Sequence, residues 1–366
     1  MEKKIKYITY QTFPAKTANS IQTISTVKYF ARAGLKTILI YPLRNWDSSN
    51  NLEKIKMNYG FQDNIELIGT IHPLPFKKIK PLERYWYLIS HFLWSFFTVQ
   101  KYYENKNEMY FTRSEWVFYF LSKKKANVIY ECHQVSKLKK ILVNSSLISK
   151  SSKVITLTDN IKKELNSDFN DRIEIIGSAY DDDFFFSSSM RKNEIVYAGS
   201  LLRFGQSRGL EILFDKSLNL NLKNLKIIII SSDEKGINFF NDLIGRNELN
   251  LDFHIISKIN QKEIGEILAH AKVGLLVNNN TKHASLYSSP IKYFEYLASG
   301  LNVVATDLDS HRKLPLSDKI EFYEIDNIRS FESAIINAIN KSNENNSDID
   351  NYSMSKRVDR ILSLYK

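Results

Sequence analysis

The chain has 366 residues, 43% hydrophobic and 25% charged, enough apolar material for two domains of ordinary size and too much for a disordered segment. A single cysteine, Cys132, excludes an internal disulfide and fits a reducing compartment, and the longest apolar stretch, 85–99, is broken by Ser90, His91 and Ser95 and is too short to span a bilayer. The net charge of +11 is carried by one half: residues 1–180 hold 28 Lys and Arg against 15 Asp and Glu, the remainder 23 against 25. A basic half points to an anionic neighbour, which leaves a membrane surface, a lipid-linked phosphate or nucleic acid as candidates beside plain solubility. Residues 1–6 lead into a strand with no apolar signal region, so a cytoplasmic protein is expected.

Residues 4–10 read as a strand, 11–18 as a loop, and a helix begins near Asn19 or Ser20 with Ile21, Ile24, Val27 and Ala31 on its inner face. It stops at Gly34, and 37–41 is a second strand. Strand, loop, helix, strand opens a Rossmann-like domain, whose ligands gather at such loop-to-helix junctions. The glycine fingerprint of dinucleotide enzymes is absent, which argues against a dehydrogenase. Residues 45–60 are polar and unpatterned, and 65–68 is a short strand. The loop 72–81 holds Lys77, Lys78 and Lys80 and leads into a helix over 82–104 crowded with Tyr, Trp and Phe. That helix reads either as an aromatic core element or as a segment that meets lipid headgroups.

Strands follow at 108–112 and 127–131, with a helix from Ser114 between them. His133 stands just beyond the carboxyl end of the second, where parallel sheets place ligands, and reads as a site residue or as a satisfied structural histidine. A second basic cluster, Lys137, Lys139, Lys140, Lys150 and Lys153, precedes the elements at 154–157, 159 onward and 172–176. Asp181, Asp182 and Asp183 invite a metal reading, but consecutive residues in one turn rarely converge on an ion, so a solvated turn is expected and no metal.

A second strand-and-helix series starts at 194–198 and continues at 226–230, 235–245, 251–256, 260–270 and 272–277. The loop 199–211 carries Ser200, Arg203 and Arg208 beside glycines after a strand, a pattern that favours anion binding. The best-punctuated stretch is 288–307. Ser288 or Ser289 is placed to cap a helix, Pro290 suits its first position, and Gly300 suits a left-handed stop before the strand of Val303 and Val304. Ile291, Phe294, Leu297 and Ala298 form its expected buried stripe. The free amides at its start suit a phosphate, and Glu295, one turn on, suits hydroxyls; the plainer reading pairs Glu295 with Lys292. Residues 307–313 read as a loop, 320–323 as a strand, 328–340 and 352–365 as helices, with 342–351 a polar linker.

The run Ser289-Pro290-Ile291-Lys292-Tyr293-Phe294-Glu295-Tyr296 resembles the nucleotide-binding helix of family 4 glycosyltransferases of the GT-B fold. Four weaker likenesses follow the same order along the chain: the first loop with Ala18, Asn19 and Ser20, the run ending in His133, the turn at 177–186, and Arg208-Gly209. The resemblance implies two facing Rossmann-like domains in an α/β chain: 1–180 with a returning helix 351–366 on the acceptor side, and 190–345 on the nucleotide-sugar side. It implies a retaining, metal-independent sugar transfer with no cofactor beyond a UDP- or GDP-sugar co-substrate. The acceptor would be a glycan or lipid-linked hydroxyl of the cell envelope, with an anionic membrane surface as a candidate partner and no nucleic acid. His133 and Arg208 would be catalytic. Glu295, Ser289, Pro290, Ile291, Lys292, Arg203, Ser200 and Tyr287 would bind the donor, and Ala18, Asn19 and Ser20 would form the acceptor-side loop. Tyr287 stands where many family members carry a second glutamate that contacts the donor sugar, so the sugar contact has to come from elsewhere. A non-catalytic nucleotide-sugar-binding relative and a sugar-nucleotide epimerase are the alternatives.

Overall fold

The computed structural model describes residues 3–15, 17–44, 49–72, 83–203, 206–220, 222, 224–246, 251–257, 259–281, 284, 289–342 and 347–365. They divide into two compact units, Met1–Gly177 with Arg357–Lys366, and Ser178–Lys356.

In the first unit seven strands form one parallel sheet: β1 Lys4–Ile8, β2 Lys36–Leu43, β3 Glu66–Ile71, β4 Met109–Thr112, β5 Asn127–Cys132, β6 Ser152–Thr156 and β7 Ile173–Ile175. Their order is β3-β2-β1-β4-β5-β6-β7, with β1 between β2 and β4. The strands read as apolar runs because a parallel sheet is covered on both faces; Ile5, Tyr7, Ile8, Leu39, Ile40 and Tyr41 are all essentially inaccessible. The connections carry α1 Ala18–Arg32, α2 Leu52–Tyr59, α3 Glu83–Tyr102, α4 Glu115–Lys123, α5 Lys137–Leu147 and α6 Asp159–Leu165. The unpatterned stretch expected at 45–60 contains α2, held by an Asn51 cap, a left-handed Gly60 stop and one buried anchor, Ile55. A single buried side chain gives too little periodicity to read.

In the second unit β8 Glu194–Ala198, β11 Lys226–Ile230, β12 Asp252–Ile256, β13 Val273–Leu276, β14 Asn302–Thr306 and β15 Ile320–Tyr323 form a parallel sheet in the order β12-β11-β8-β13-β14-β15. The first strand of each unit thus lies inside its sheet, and the winding reverses there: at β1/β4 and at β8/β13. This is the doubly wound order whose reversal opens a crevice at the strands' carboxyl ends. The loop after β8 folds as an antiparallel hairpin, β9 Leu202–Arg203 and β10 Gln206–Ser207. Helices α7 Glu234–Arg246, α8 Gln261–His270, α9 Ile291–Ala298, α10 Asp309–Arg312 and α11 Ile328–Asn340 complete the unit. The loop expected at 307–313 therefore contains one helical turn.

The last helix, α12 Met354–Ser363, has its residues from Arg357 onward in the first unit. It is fixed there by contacts that a surface helix lacks. Arg357 forms a buried 2.8 Å ion pair with Glu131 and donates to the Gly177 carbonyl at 2.8 Å. Tyr365 donates to the Tyr110 carbonyl at 2.6 Å, and Val358 and Ile361 are buried. Its first amides are capped by Asp182, which accepts from Met354 N and Ser355 N at 2.9 and 3.3 Å. The aspartate triplet is thus partly a helix cap.

Gly265 sits inside α8, where alanine is favoured by about 1 kcal/mol on intrinsic grounds. A Cβ there would stand 1.8 Å from the Phe184 carbonyl oxygen. Sterics outweigh propensity: Gly265→Ala is expected to destabilise by about 1–3 kcal/mol, read as a lower melting temperature. An unchanged or raised melting temperature would show that the 180s turn moves aside freely.

Candidate functional site at the sheet reversals

In the second unit the reversal is bordered by the ends of β8 and β13 and by the start of α9. Helix α9 is seated by Phe294 and Leu297 of the expected stripe together with two tyrosines. Tyr293 and Tyr296 are buried with Phe294 and Leu297, while Ile291 and Ala298 are only half-buried. Both tyrosines are tolerated inside because their hydroxyls are bonded: Tyr296 accepts from Ala198 N at 2.9 Å at the end of β8, and Tyr293 donates to the Pro315 carbonyl at 2.6 Å. At the other end, Gly300 N and Leu301 N bond the Leu297 and Tyr296 carbonyls, with Gly300 at φ 72°, closing α9 as a left-handed stop.

The start of α9 differs from expectation. Pro290 is the N-cap, and among the described residues no side chain bonds the first amides. Ser289 does not cap; its hydroxyl accepts from Ser178 N at 3.1 Å and its carbonyl accepts from the Ser178 hydroxyl at 2.6 Å. Proline has no N–H, so the amides available to a ligand belong to Ile291 and Lys292. A bare helix start beside a sheet reversal is a ready anion site.

Lys292 faces the same place. Its Nζ is buried without a hydrogen-bond partner among the described residues, 3.9 Å from the centre of the Tyr197 ring. A Cβ on Gly199, just past β8, would stand 3.7 Å from it. Burial, reinforced by Arg208, pushes its ammonium well below the usual lysine range, against the pull of Glu295. No ion pair joins Lys292 to Glu295 among the described residues. Burial, with Asp181 adding to it, pushes the Glu295 carboxyl up to about 8, Lys292 offsetting only part. Glu295 therefore favours its neutral form at pH 7, while burial disfavours the Lys292 ammonium.

Arg208 is held by a relay that sequence reading missed. Its Nη2 donates to Asn278 Oδ1 at 3.0 Å; Asn278 Nδ2 meets His311 Nε2 at 3.3 Å, and His311 Nδ1 meets the Thr306 carbonyl at 2.8 Å. The carbonyl fixes the tautomer: Nδ1–H donates and Nε2 accepts. Burial holds His311 down to about 4, so it stays neutral. Gly209, at φ 94°, follows Arg208 so closely against Asn279 that a Cβ would stand 2.6 Å from its Oδ1. Ser200 is engaged elsewhere: its hydroxyl donates to the Leu202 carbonyl at 2.6 Å, and Asp233 bonds both Ser200 and Leu202 N. Tyr287, and the side chains of Arg203 and Ala18, lie outside the described residues.

In the first unit the reversal gathers Asn19, Arg113 and His133, and the arginine, the first residue past β4, was not singled out in the sequence. Arg113 Nη1 and Nη2 donate to the Asn19 carbonyl and Oδ1, each at 3.1 Å, and Nη2 meets His133 Nδ1 at 2.9 Å. His133 Nε2 meets Glu131 Oε1 at 2.5 Å, and Glu131 Oε2 is the partner of Arg357. Arginine only donates, so His133 is the neutral tautomer with Nε2–H toward the carboxylate, and both ring nitrogens are engaged. Burial, with Arg113, pushes its pKa down to about 4 although Glu131 pulls upward. Burial alone would raise Glu131, but Arg357, His133 and Arg113 together hold it well below the usual range. Ser20 is buried in a capping box with Thr17 and bonds the Ala15 carbonyl at 2.5 Å, so it shapes the loop rather than facing it. Gln22 Nε2 is buried beside it on α1 without a partner.

These shifts give Glu295 and His133 opposite responses to pH. A carboxyl raised to about 8 loses its stabilising preference as pH rises from about 4.5 through 8. The depressed His133 contributes stability at neutral pH that is lost as pH falls from about 6.5 through 4, and the depressed Glu131 adds a loss below about 4.5. Melting curves from pH 4 to 9 are expected to show wild type losing several degrees above pH 6 relative to Glu295→Gln, and His133→Gln flattening the acid limb. Parallel curves for wild type and Glu295→Gln would sink the assignment of the basic limb.

No protein-family model and no curated protein matches the chain. Solved structures do. A glycosyltransferase from Rickettsia africae ESF-5 matches at 15% identity and TM-score 0.68 over 100% of this chain and 98% of that one. WaaG, a glycosyltransferase involved in lipopolysaccharide biosynthesis, matches at 14% and 0.58 over 99% and 96%. A mutant of S. aureus TarM in complex with Fondaparinux, alpha-GlcNAc-glycerol and UDP matches at 13% and 0.65 over the full length of both. The chain has the fold of the GT-B glycosyltransferases, two Rossmann-like domains with the last helix returned to the first.

Proposed function

We propose that the chain is a retaining glycosyltransferase of the family 4 type, moving a sugar from a nucleoside-diphosphate sugar to a hydroxyl of a glycan or lipid-linked acceptor in the cell envelope. The observation that carries this is the set of groups at the second unit's reversal. The α9 amides that no described side chain bonds, a buried Lys292 without a hydrogen bond among the described residues and a relay-held Arg208 offer three positive features to one anion, with Glu295 one turn along the helix. Glu295 would bind ribose hydroxyls, and Arg208, Lys292 and the Ile291 and Lys292 amides would hold the diphosphate without a metal. The first unit would receive the acceptor near Asn19, with His133 orienting Arg113 rather than moving a proton, since both its nitrogens are engaged.

In the reaction the bond from the anomeric carbon to the phosphate oxygen breaks as the acceptor oxygen bonds that carbon on the same face. The acceptor proton passes to the departing phosphate oxygen, leaving a nucleoside diphosphate. Arg208 and Lys292 act by stabilising the charge that grows on that phosphate. An epimerase would need acid and base groups of its own, and the engagement of His133 favours transfer. Envelope synthesis, with the protein held at the inner face of the membrane, draws on the basic first half and on the involvement of WaaG in lipopolysaccharide biosynthesis.

The test is a thermal-shift panel of UDP, GDP, ADP and their sugars, with and without EDTA, on wild type and Glu295→Ala. One nucleotide at about 100 Kd is expected to add about 2.7 kcal/mol, independent of EDTA and lost in the variant. Free nucleoside diphosphate should then appear only when an acceptor is added. Silence from every nucleotide in folded protein would turn the reading to a non-catalytic relative. Lys292→Met, which removes a desolvated ammonium, is expected to raise the ligand-free melting temperature while weakening nucleotide binding at least tenfold. A variant both less stable and fully binding would contradict the role given to Lys292.

A further inference from the structure

Helix α3 buries polar residues beside Trp94 and Val99 and exposes aromatic ones. Its inward face carries Ser90, His91, Ser95 and Thr98, all buried, and the rotation is locked by side-chain bonds. His91 Nε2 meets Ser114 Oγ at 2.7 Å, and Trp94 Nε1 donates to Thr70 Oγ1 at 2.8 Å. Its outward face carries Tyr85, Ile89, Phe92 and Phe96, spaced 4, 3 and 4 residues apart along one stripe and 66%, 51%, 37% and 37% exposed, with Phe97 beside them at 56%. No charged residue occurs between Tyr85 and Gln100. A solvated helix face normally carries charge, so a bare aromatic one marks a contact surface.

The stripe continues onto α4, where Trp116 lies 4.9 Å from Phe92, and Phe120 lies 5.5 and 5.4 Å from Phe92 and Phe96, ring centre to ring centre. Cations border it: α4 ends in Lys123, Lys124 and Lys125, and Lys123 reaches Ser145 of α5 at 3.5 Å. Helix α5 exposes Ile141, and Ile148 at its C-cap two turns on, 65% and 68% open, between Lys137 and Lys150. Exposed apolar side chains thus share three packed helices with lysines, in a half of the chain whose charge is strongly positive.

We propose that the α3–α4–α5 face of the first unit docks on an anionic lipid bilayer, its aromatic stripe entering the headgroup layer and its lysines meeting lipid phosphates. Aromatic rings and aliphatic side chains at headgroup depth, bordered by lysines, are the chemistry of interfacial binding. A second copy fits less well, since a symmetric contact would bring lysine-rich borders together. The inference deepens the membrane part of the proposed function by naming the surface; among the described residues no helix is long and apolar enough to cross a membrane.

Co-sedimentation with phosphatidylglycerol/phosphatidylcholine vesicles, against phosphatidylcholine alone, tests it at low and physiological salt. Wild type is expected to bind the anionic vesicles, Ile89→Ser/Phe97→Ser to bind at least tenfold more weakly with its melting curve unchanged, and Lys137→Glu/Lys140→Glu to lose the preference for anionic lipid. Wild type that ignores vesicles, a serine variant that binds equally, or self-association abolished by the serine pair would each overturn the proposal. The assay needs no catalysis, so its failure leaves sugar transfer standing, and failure of the nucleotide panel leaves the docking surface standing.

Discussion

The structure depends on where each sheet reverses its winding. A parallel sheet covered on both faces leaves polar chemistry one place to gather, the strands' carboxyl ends, and reversal parts the flanking connections there. Each unit puts its first strand inside the sheet, β1 in one and β8 in the other. The polar groups that matter follow from this. Arg113 is the first residue after β4, and His133 the first after β5. Gly199 follows β8 directly, and Asn278 comes two residues after β13.

The two reversals treat their polar groups differently. In the first unit the network closes on itself: Asn19, Arg113, His133, Glu131 and Arg357 bond one another in series, and Arg357 ties in the last helix. Such a network is rigid, with the one carboxylate, Glu131, shared between the guanidiniums of Arg113 and Arg357. In the second unit the relay through Asn278 and His311 satisfies one edge of Arg208, and among the described residues Lys292 Nζ and the first amides of α9 have no side-chain hydrogen-bond partner. Unsatisfied buried donors cost stability and are kept where a ligand completes them.

Legibility in the sequence followed how local each cause is. β8, β11, β15 and α11 stand where alternation, apolar runs and periodicity place them, and the glycine stop of α9 is set by its own φ. Elements fixed by distant partners were not readable in the same way. The buried face of α9 is set by two tyrosine hydroxyls whose acceptors and donors lie on β8 and near Pro315, so hydrophobic spacing chose Ile291 and Ala298 wrongly. Ser289 reads as a cap but bonds Ser178, more than a hundred residues away. Arg113, Asn278 and His311 carry no motif. One signal for them is position: each follows the carboxyl end of a strand, which becomes informative only once strand order is known.

The same reasoning explains why α3 could be read two ways. Composition alone gives an aromatic helix, and a layered domain needs a helix there, so a core role satisfies the sequence. What decides is the orientation of its polar residues. Ser90, His91, Ser95 and Thr98 would face water in an ordinary amphipathic helix, yet they are buried, with Trp94 and His91 bonded to Thr70 and Ser114 across the interface. A buried histidine held near pKa 3, burial being the main cause, cannot be exchanged for the opposite face without breaking those bonds. The aromatic stripe is therefore pointed outward by polar interactions on the helix's other side. A surface built by locked rotation is part of the fold's specification and calls for a partner of its own.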